Sequence, residues 1–252
     1  MCMSGQTVLI TGGTRGIGKA IARRLASEQP ALVMVSYCQN HAAARETVAE
    51  LKELGVDAEA YPTDVGDVRM LQCLFDRVRE RCGRLDVFVS NAARTSFRPV
   101  LDLDARTWQK IMDLNARAFL AGSQMAAALM RENGGGRIIA LSSLGSRFAT
   151  RNYAGLGAAK ATIEALTRYL AVELAPLGIN VNAVCGGFVD THSMRLAPDY
   201  DELEQYVASH TPEGRIAKPE DLAGVVALLC SKDSDWIRGQ TLVADGGFSL
   251  TL

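Results

Sequence analysis

Seven short runs rich in β-branched and aliphatic residues recur along this chain of 252 residues, and longer segments separate most of them. The runs are TVLIT from Thr7, ALVMVSY from Ala31, DAEAY from Asp57, LDVFVS from Leu85, RIIALSS from Arg137, INVNAV from Ile179 and TLVAD from Thr241. The segments between them carry apolar residues three and four apart, which predicts helices over 17–25, 43–54, 68–78, 108–130, 159–174 and 222–229. Strands that alternate with helices are joined in parallel, each crossover helix lying on one face of the sheet. The expectation is therefore an α/β fold, a parallel sheet of about seven strands with helices on both faces. Hydrophobic residues make up 48% of the chain, enough for one sizeable core, so 1–252 reads as a single domain.

Several function classes recede on composition. The net charge of −1 gives no global excess of either sign, so neither nucleic acid nor an anionic membrane is an expected partner. No apolar run reaches the roughly 18 residues of a membrane span. Six scattered cysteines (Cys2, Cys38, Cys73, Cys82, Cys185, Cys230) form no C-x-x-C pair, which fits a reducing cytosol, and the start MCMSGQTVLITGG lacks the pattern of a cleaved leader. A soluble, cytoplasmic protein is expected. His41, His192 and His210 have no metal-ligand spacing, so no metal is expected.

The first run ends in TGGTRGIG, placing Gly12, Gly16 and Gly18 where a strand turns into a helix. Glycines there let the backbone approach a pyrophosphate, which then meets the N–H groups and positive dipole end of the helix. Strand before and helix after make this a dinucleotide site within a doubly wound, Rossmann-type domain. The second run should end at the adenosine ribose, where an acidic residue would bond the 2′-hydroxyl. The chain instead reads SYCQNH from Ser36 to His41, without a carboxylate to repel a 2′-phosphate. Arg15 can supply charge there and Gln39, Asn40 or His41 hydrogen bonds, so NADPH is expected over NADH.

With TGGTRGIG in view, further pieces fall into order: TDV with Asp64, SNAA with Asn91, Asn115, SS at Ser142–Ser143, PEGR from Pro212 and RGQTLVADGG near the end. Over nearly its whole length the chain resembles the short-chain dehydrogenase/reductase family. The resemblance implies a nicotinamide cofactor held by Gly12, Thr14, Arg15, Gly16, Ile17, Gly18, Gln39, Asp64, Val65, Asn91, Asn115, Lys160 and Gly186, and a site built on Ser143, a tyrosine and Lys160. In most of the family the tyrosine follows the serine by thirteen residues and the lysine by seventeen. Counted from Ser143, the lysine is Lys160, but the tyrosine position holds Leu156, and the tyrosine stands three residues earlier at Tyr153. This Y-x6-K interval resembles the enoyl-acyl-carrier-protein reductase branch, especially its type III group.

The displacement has a physical reading as well. On one helix, seven residues make nearly two turns, so Tyr153 and Lys160 would share a face, and three residues correspond to about 4.5 Å of rise. Ketone reduction needs a proton donor at the oxygen of the carbon receiving hydride. In an α,β-unsaturated thioester, hydride goes to Cβ and charge develops on the carbonyl oxygen two carbons away, which suits a donor moved along the helix. The resemblance then implies that Tyr153 bonds the developing enolate oxygen while Lys160 binds the nicotinamide ribose and favours the phenolate. In carbonyl reductases of the family the serine matching Ser143 bonds the substrate oxygen, whereas in the enoyl branch a different residue type can stand there, so the resemblance leaves the role of Ser143 open between the two; Asn115 would have a structural role.

The expected activity is NADPH-dependent reduction of an enoyl thioester carried on acyl carrier protein or coenzyme A, in fatty-acid or related biosynthesis. Reduction of a ketone, such as a 3-ketoacyl thioester, is the alternative, and a non-catalytic cofactor-binding subunit the third reading. The long stretch 188–215 without a strand is a candidate substrate lid. Arg94, Arg98, Arg147, Arg151 and Arg195 fall in segments that should approach the cleft mouth, as a solvated rim or as guides for an acidic carrier or pantetheine phosphates. Family members of this size are usually homotetramers built through helices matching 108–130 and 159–174, and the same assembly is expected here.

Overall fold

The computed structural model describes residues 3–94, 97–195 and 200–251. All seven expected strands form: β1 Thr7–Ile10, β2 Leu32–Tyr37, β3 Asp57–Pro62, β4 Val87–Ser90, β5 Gly136–Ser143, β6 Ile179–Gly186 and β7 Thr241–Ala244. They pair in one parallel sheet of order β3-β2-β1-β4-β5-β6-β7. Strands β1 and β6 are buried along their whole length and β2, β4 and β5 at all but their ends, which is why their sequences read as continuous apolar runs rather than as alternation.

The pleat sends successive side chains to opposite faces, and each face has its own core. Val8, Ile10, Val33 and Val35 pack with Ile21, Leu25, Leu222 and Val226 of helices α1 (Gly16–Ala26) and α8 (Pro219–Cys230). Leu9, Met34 and Phe88 pack on the other face with Leu74, Phe119 and Ile163 of α3 (Val68–Cys82), α5 (Ala118–Met130) and α6 (Ala154–Glu173). Helix α2 (His41–Glu53) leads into β3. The chain reverses direction across the sheet between β1 and β4, so the crevice where ligands bind in such sheets opens at their carboxyl ends.

Two elements differ from expectation. The periodicity over 108–130 predicts one plain helix, whereas the structure has α4 (Ala105–Met112), a π turn at Asp113–Arg117 and then α5 without a break. The expected lid contains a helix of its own, α7 (Tyr200–His210), whose acidic first turn Asp201–Glu202 complements the helix dipole. Residues 196–199 of that segment lie outside the described residues. The segment's two ends are held together by the Val189↔Ala217 bridge, with Asp190 N–H donating to Ala217 O (2.9 Å) and Ala217 N–H to Phe188 O (3.0 Å). No helix among the described residues is long and apolar enough to cross a membrane.

Candidate active site

The glycine turn after β1 is formed by close approach. Gly12 has φ +66°, and a Cβ on Gly18 would fall 2.2 Å from the carbonyl oxygen of Gly12 and 2.5 Å from Nδ2 of Asn91. Asn91 clamps the turn by donating Nδ2–H to Thr11 O (2.9 Å) and Gly12 O (3.0 Å), while Thr11 Oγ1 accepts from the backbone N–H of Asn91 and Ala92. Helix α1 starts with no side-chain cap and no acidic residue in its first turn, so its N-terminal N–H groups and positive dipole end face the crevice unneutralised. A side chain would fill this cradle; a pyrophosphate fits it. We expect Gly18→Ala to weaken nicotinamide-cofactor binding by about 100-fold or more, measured by fluorescence titration, because the backbone oxygen of Gly12 cannot yield to a Cβ.

Apart from Asn115 and Lys160, the other expected cofactor residues lie just beyond the carboxyl ends of the strands or at them. Thr14 is buried and its carbonyl accepts from Thr47 Oγ1 (3.3 Å), Ile17 packs on the α1 side of the core, and Arg15 is exposed at the N-cap of α1. Beyond β2, Gln39 is exposed, and the Tyr37 hydroxyl bonds His41 Nδ1 at 2.8 Å. Asp64 accepts from Gly66 N–H (2.9 Å), and Val65 is buried behind it. Gly186 ends β6, opposite Ser143 in the β5–β6 register. Thr191, just past the Val189 bridge, lies beside Gly16, so the 188–215 segment begins over the glycine turn.

The second half of the site is built from the end of β5 and the start of α6. Tyr153 is the N-cap of α6 with φ −110°, ψ 2°, not a residue within the helix, and its hydroxyl donates to Ser143 Oγ at 3.3 Å. The Gly145 N–H also donates to Ser143 Oγ (3.4 Å), and a Cβ on Gly145 would strike the Tyr153 ring at 2.5 Å. The Cδ1–Cε1 edge of the ring therefore lies against the turn that follows β5. Leu156, at the position where most of the family has its tyrosine, is buried with Ile111 and Ala159 in a small apolar cluster on which Tyr153 packs.

Lys160 is only 6% exposed and donates Nζ–H to the carbonyl of Leu141 (2.7 Å), one residue beyond the last β4–β5 pair, Ser90↔Ala140. Burial pushes its ammonium down to about 8, since desolvation disfavours the charged form. Burial likewise raises the Tyr153 phenol above its ordinary value, against a smaller lowering by Ser143. The expectation that Lys160 favours the phenolate is thus not what sets the phenol in this geometry; desolvation and the Ser143 hydroxyl do. Asn115, in the π turn, donates Nδ2–H to Ile111 O (2.9 Å), and its buried Oδ1 has no protein partner among the described residues.

Of the five arginines expected at the mouth, two are already engaged. Arg147 pairs with buried Glu164 and Arg195 with Asp190 (2.8 Å), while Arg94, Arg98 and Arg151 are exposed. Glu164 itself was not legible as a site residue. Its one sequence signal is its position four residues after Lys160, on the same face of α6.

Residues 12–249 match the family model described as Enoyl-(Acyl carrier protein) reductase. The chain is 43% identical over 247 residues to 1-cyclohexenylcarbonyl-CoA reductase of Streptomyces collinus, covering 97% of this chain and 87% of that protein. Among solved structures it is similar to a 7α-hydroxysteroid dehydrogenase complexed with NADH and 7-oxo glycochenodeoxycholic acid, at 32% identity and a TM-score of 0.92, covering 98% and 95% of the two chains. A double Phe-to-Leu variant of a Serratia marcescens short-chain dehydrogenase/reductase is 33% identical at a TM-score of 0.91, covering 99% and 100%.

Proposed function

From the premise that the chain belongs to the short-chain dehydrogenase/reductase family, and so is a nicotinamide-dependent oxidoreductase, we propose that it reduces the carbon–carbon double bond of a 2-enoyl thioester. The observation that carries this reading is the exchange of places at the start of α6. Tyr153 reaches the Ser143 hydroxyl from the N-cap, and an apolar Leu156 occupies the floor beneath it. Coenzyme A or acyl carrier protein is the carrier, and the Streptomyces relative, named for a cyclic enoyl-CoA, favours coenzyme A.

NADPH, when bound, supplies the hydride that reaches Cβ of the substrate. Gly12, Gly16, Gly18 and the α1 N-terminus would hold its pyrophosphate, and the carboxylate-free end of β2 with Arg15 and Gln39 its phosphorylated ribose. Asp64, Val65 and Asn91 line the same crevice, and Lys160, Asn115 and Gly186 belong to its nicotinamide end. As charge builds on the thioester oxygen, the Tyr153 O–H turns from Ser143 to that oxygen and stabilises the enolate, and Ser143 Oγ keeps the phenol aimed. Lys160, fixed on Leu141 O, would hold the nicotinamide ribose with its ammonium. The segment 188–215 serves as the lid. A homotetramer is in keeping with the exposed Tyr169 and Val172 on α6.

The test follows oxidation of NADPH and NADH with a 2-enoyl-CoA, the same acyl group on acyl carrier protein, and the matching 3-ketoacyl thioesters. We expect kcat/KM for enoyl substrate to exceed that for ketone at least tenfold, with NADPH preferred. The 3.3 Å Tyr153–Ser143 bond is also the pairing a carbonyl oxygen would use, so ketone reduction is the second reading. Turnover of ketone alone would establish it, and equal efficiency with NADH would remove the cofactor preference.

A further inference from the structure

Glu164 is a buried carboxylate, 7% exposed, whose side-chain hydrogen bonds among the described residues all go to one short stretch of chain. Its Oε1 accepts from Ser142 Oγ at 2.7 Å and from Ser146 Oγ at 2.6 Å, and its Oε2 from Arg147 Nε at 3.2 Å. These donors bracket Ser143, the residue that receives the Tyr153 hydroxyl, and Gly145, against which the Tyr153 ring lies. Ser146 Oγ also lies 2.7 Å from Ser143 O, so its single proton is shared between the carboxylate and the carbonyl of its own turn.

Burying a charge is costly unless its lone pairs are met, and here the Ser142 and Ser146 hydroxyls and the Arg147 guanidinium meet them, from the end of β5 and the turn after it and none from α6 itself. The carboxylate does not cap its own helix. It fastens the end of β5 and the turn after it to α6 from one helical turn beyond Lys160. Because Tyr153 is the N-cap of α6, the phenol and the anchor of the turn that seats it are both placed by one helix. A Cβ on Gly157 would fall 2.5 Å from Gly145 O, so helix and turn are already at minimum separation and the turn can loosen only by moving away.

We propose that Glu164 is a positioning residue for Tyr153, holding Ser142 and Ser146 so that Ser143 and Gly145 present one seat to the phenol. The inference rests on the catalytic reading of Tyr153 for its effect on rate, but the placement of the ring is measurable without turnover. A displacement of about 1 Å at a reacting group is enough to cost up to ~100-fold in rate.

The experiment compares Glu164→Leu and Glu164→Gln with wild type, each also in a Tyr153→Phe background. Glu164→Leu should lower kcat about 10- to 100-fold, with NADPH affinity within twofold. Glu164→Gln, whose amide oxygen can still accept from both serines, should recover most of that loss. In the Tyr153→Phe background neither should have further effect, because no phenol remains to be placed. If Glu164→Leu does not fold, Ser142→Ala combined with Ser146→Ala removes the same two bonds from the other side, with the same expected loss. The 13Cζ NMR signal of Tyr153, assigned by its disappearance in Tyr153→Phe, should shift in Glu164→Leu and in the serine pair. An unmoved signal overturns the proposal, as does an equal kcat penalty with and without the phenol. A shifted signal together with a fully active Tyr153→Phe enzyme would uphold the positioning role and overturn the catalytic one.

Discussion

Replacing Tyr153 by Phe is expected to lower kcat by about 10²- to 10³-fold, the range for loss of one preorganised donor to a developing oxyanion. The ring would stay where it is, since its placement comes from Gly145, from Phe97 at a centroid distance of 6.0 Å and from the Leu156 cluster, none of which involves the hydroxyl. NADPH affinity should therefore change by no more than about twofold, and thermal stability little, because the lost bond to Ser143 is long at 3.3 Å. Steady-state kinetics with the enoyl thioester and a cofactor titration check both halves. A retained kcat would remove Tyr153 from the chemistry, and a collapse of cofactor binding would reassign it to the cofactor site.

Lys160→Met should separate stability from activity in a pH-dependent way. The folded state releases the Lys160 proton near pH 8, the unfolded state near 10.5, so between these values the unfolded chain binds more protons and wild-type stability rises with pH. Below pH 8 both states are protonated and the folded protein bears the full cost of a buried ammonium, about 3 kcal/mol for a window of this width. Methionine removes that cost and gives up the charge-assisted Leu141 hydrogen bond, worth about 2 kcal/mol. The variant is expected to be about 1 kcal/mol more stable than wild type at pH 7 and to lose that advantage by about pH 9, measured by urea unfolding. Its turnover should be at least ~100-fold lower, as for loss of a preorganised charge. In wild type, turnover should decline as pH climbs past about 8.

Much of this architecture is visible in the sequence because a parallel sheet covered on both faces demands unbroken apolar runs, and TVLIT, LVMVSY and INVNAV supply them. The glycine turn is visible for a related reason: Gly12 and Gly18 stand where nothing larger fits. The start of α6 is harder to read. Gly155 and Gly157 lower helix propensity, so periodicity begins the helix at 159, yet packing of Gly155 against Ile111 and of Gly157 against Gly145 extends it back to Ala154. That shift leaves Tyr153 at the cap rather than on the helical face shared with Lys160. Glu164 was hidden because charge in a sequence reads as surface, and its burial depends on Ser142, Ser146 and Arg147, which come from elsewhere in the chain. Helix α7 escaped notice since only Val207 of its residues is buried, giving no stripe to detect.

The π turn at Asp113–Arg117 sets the phase of everything before it. One residue beyond a regular turn rotates the preceding helix by about 100° relative to the following one. A chain shortened by a single residue there would regain an unbroken ladder of i to i−4 hydrogen bonds, and α4 would swing with it. Ile111 would leave Leu156, Asn115 would leave the helix interior, and the floor under the phenol would open although no residue of the site had changed. The helix keeps a locally less favourable winding as a spacer, and the alignment of two distant surfaces is stored in that one surplus residue.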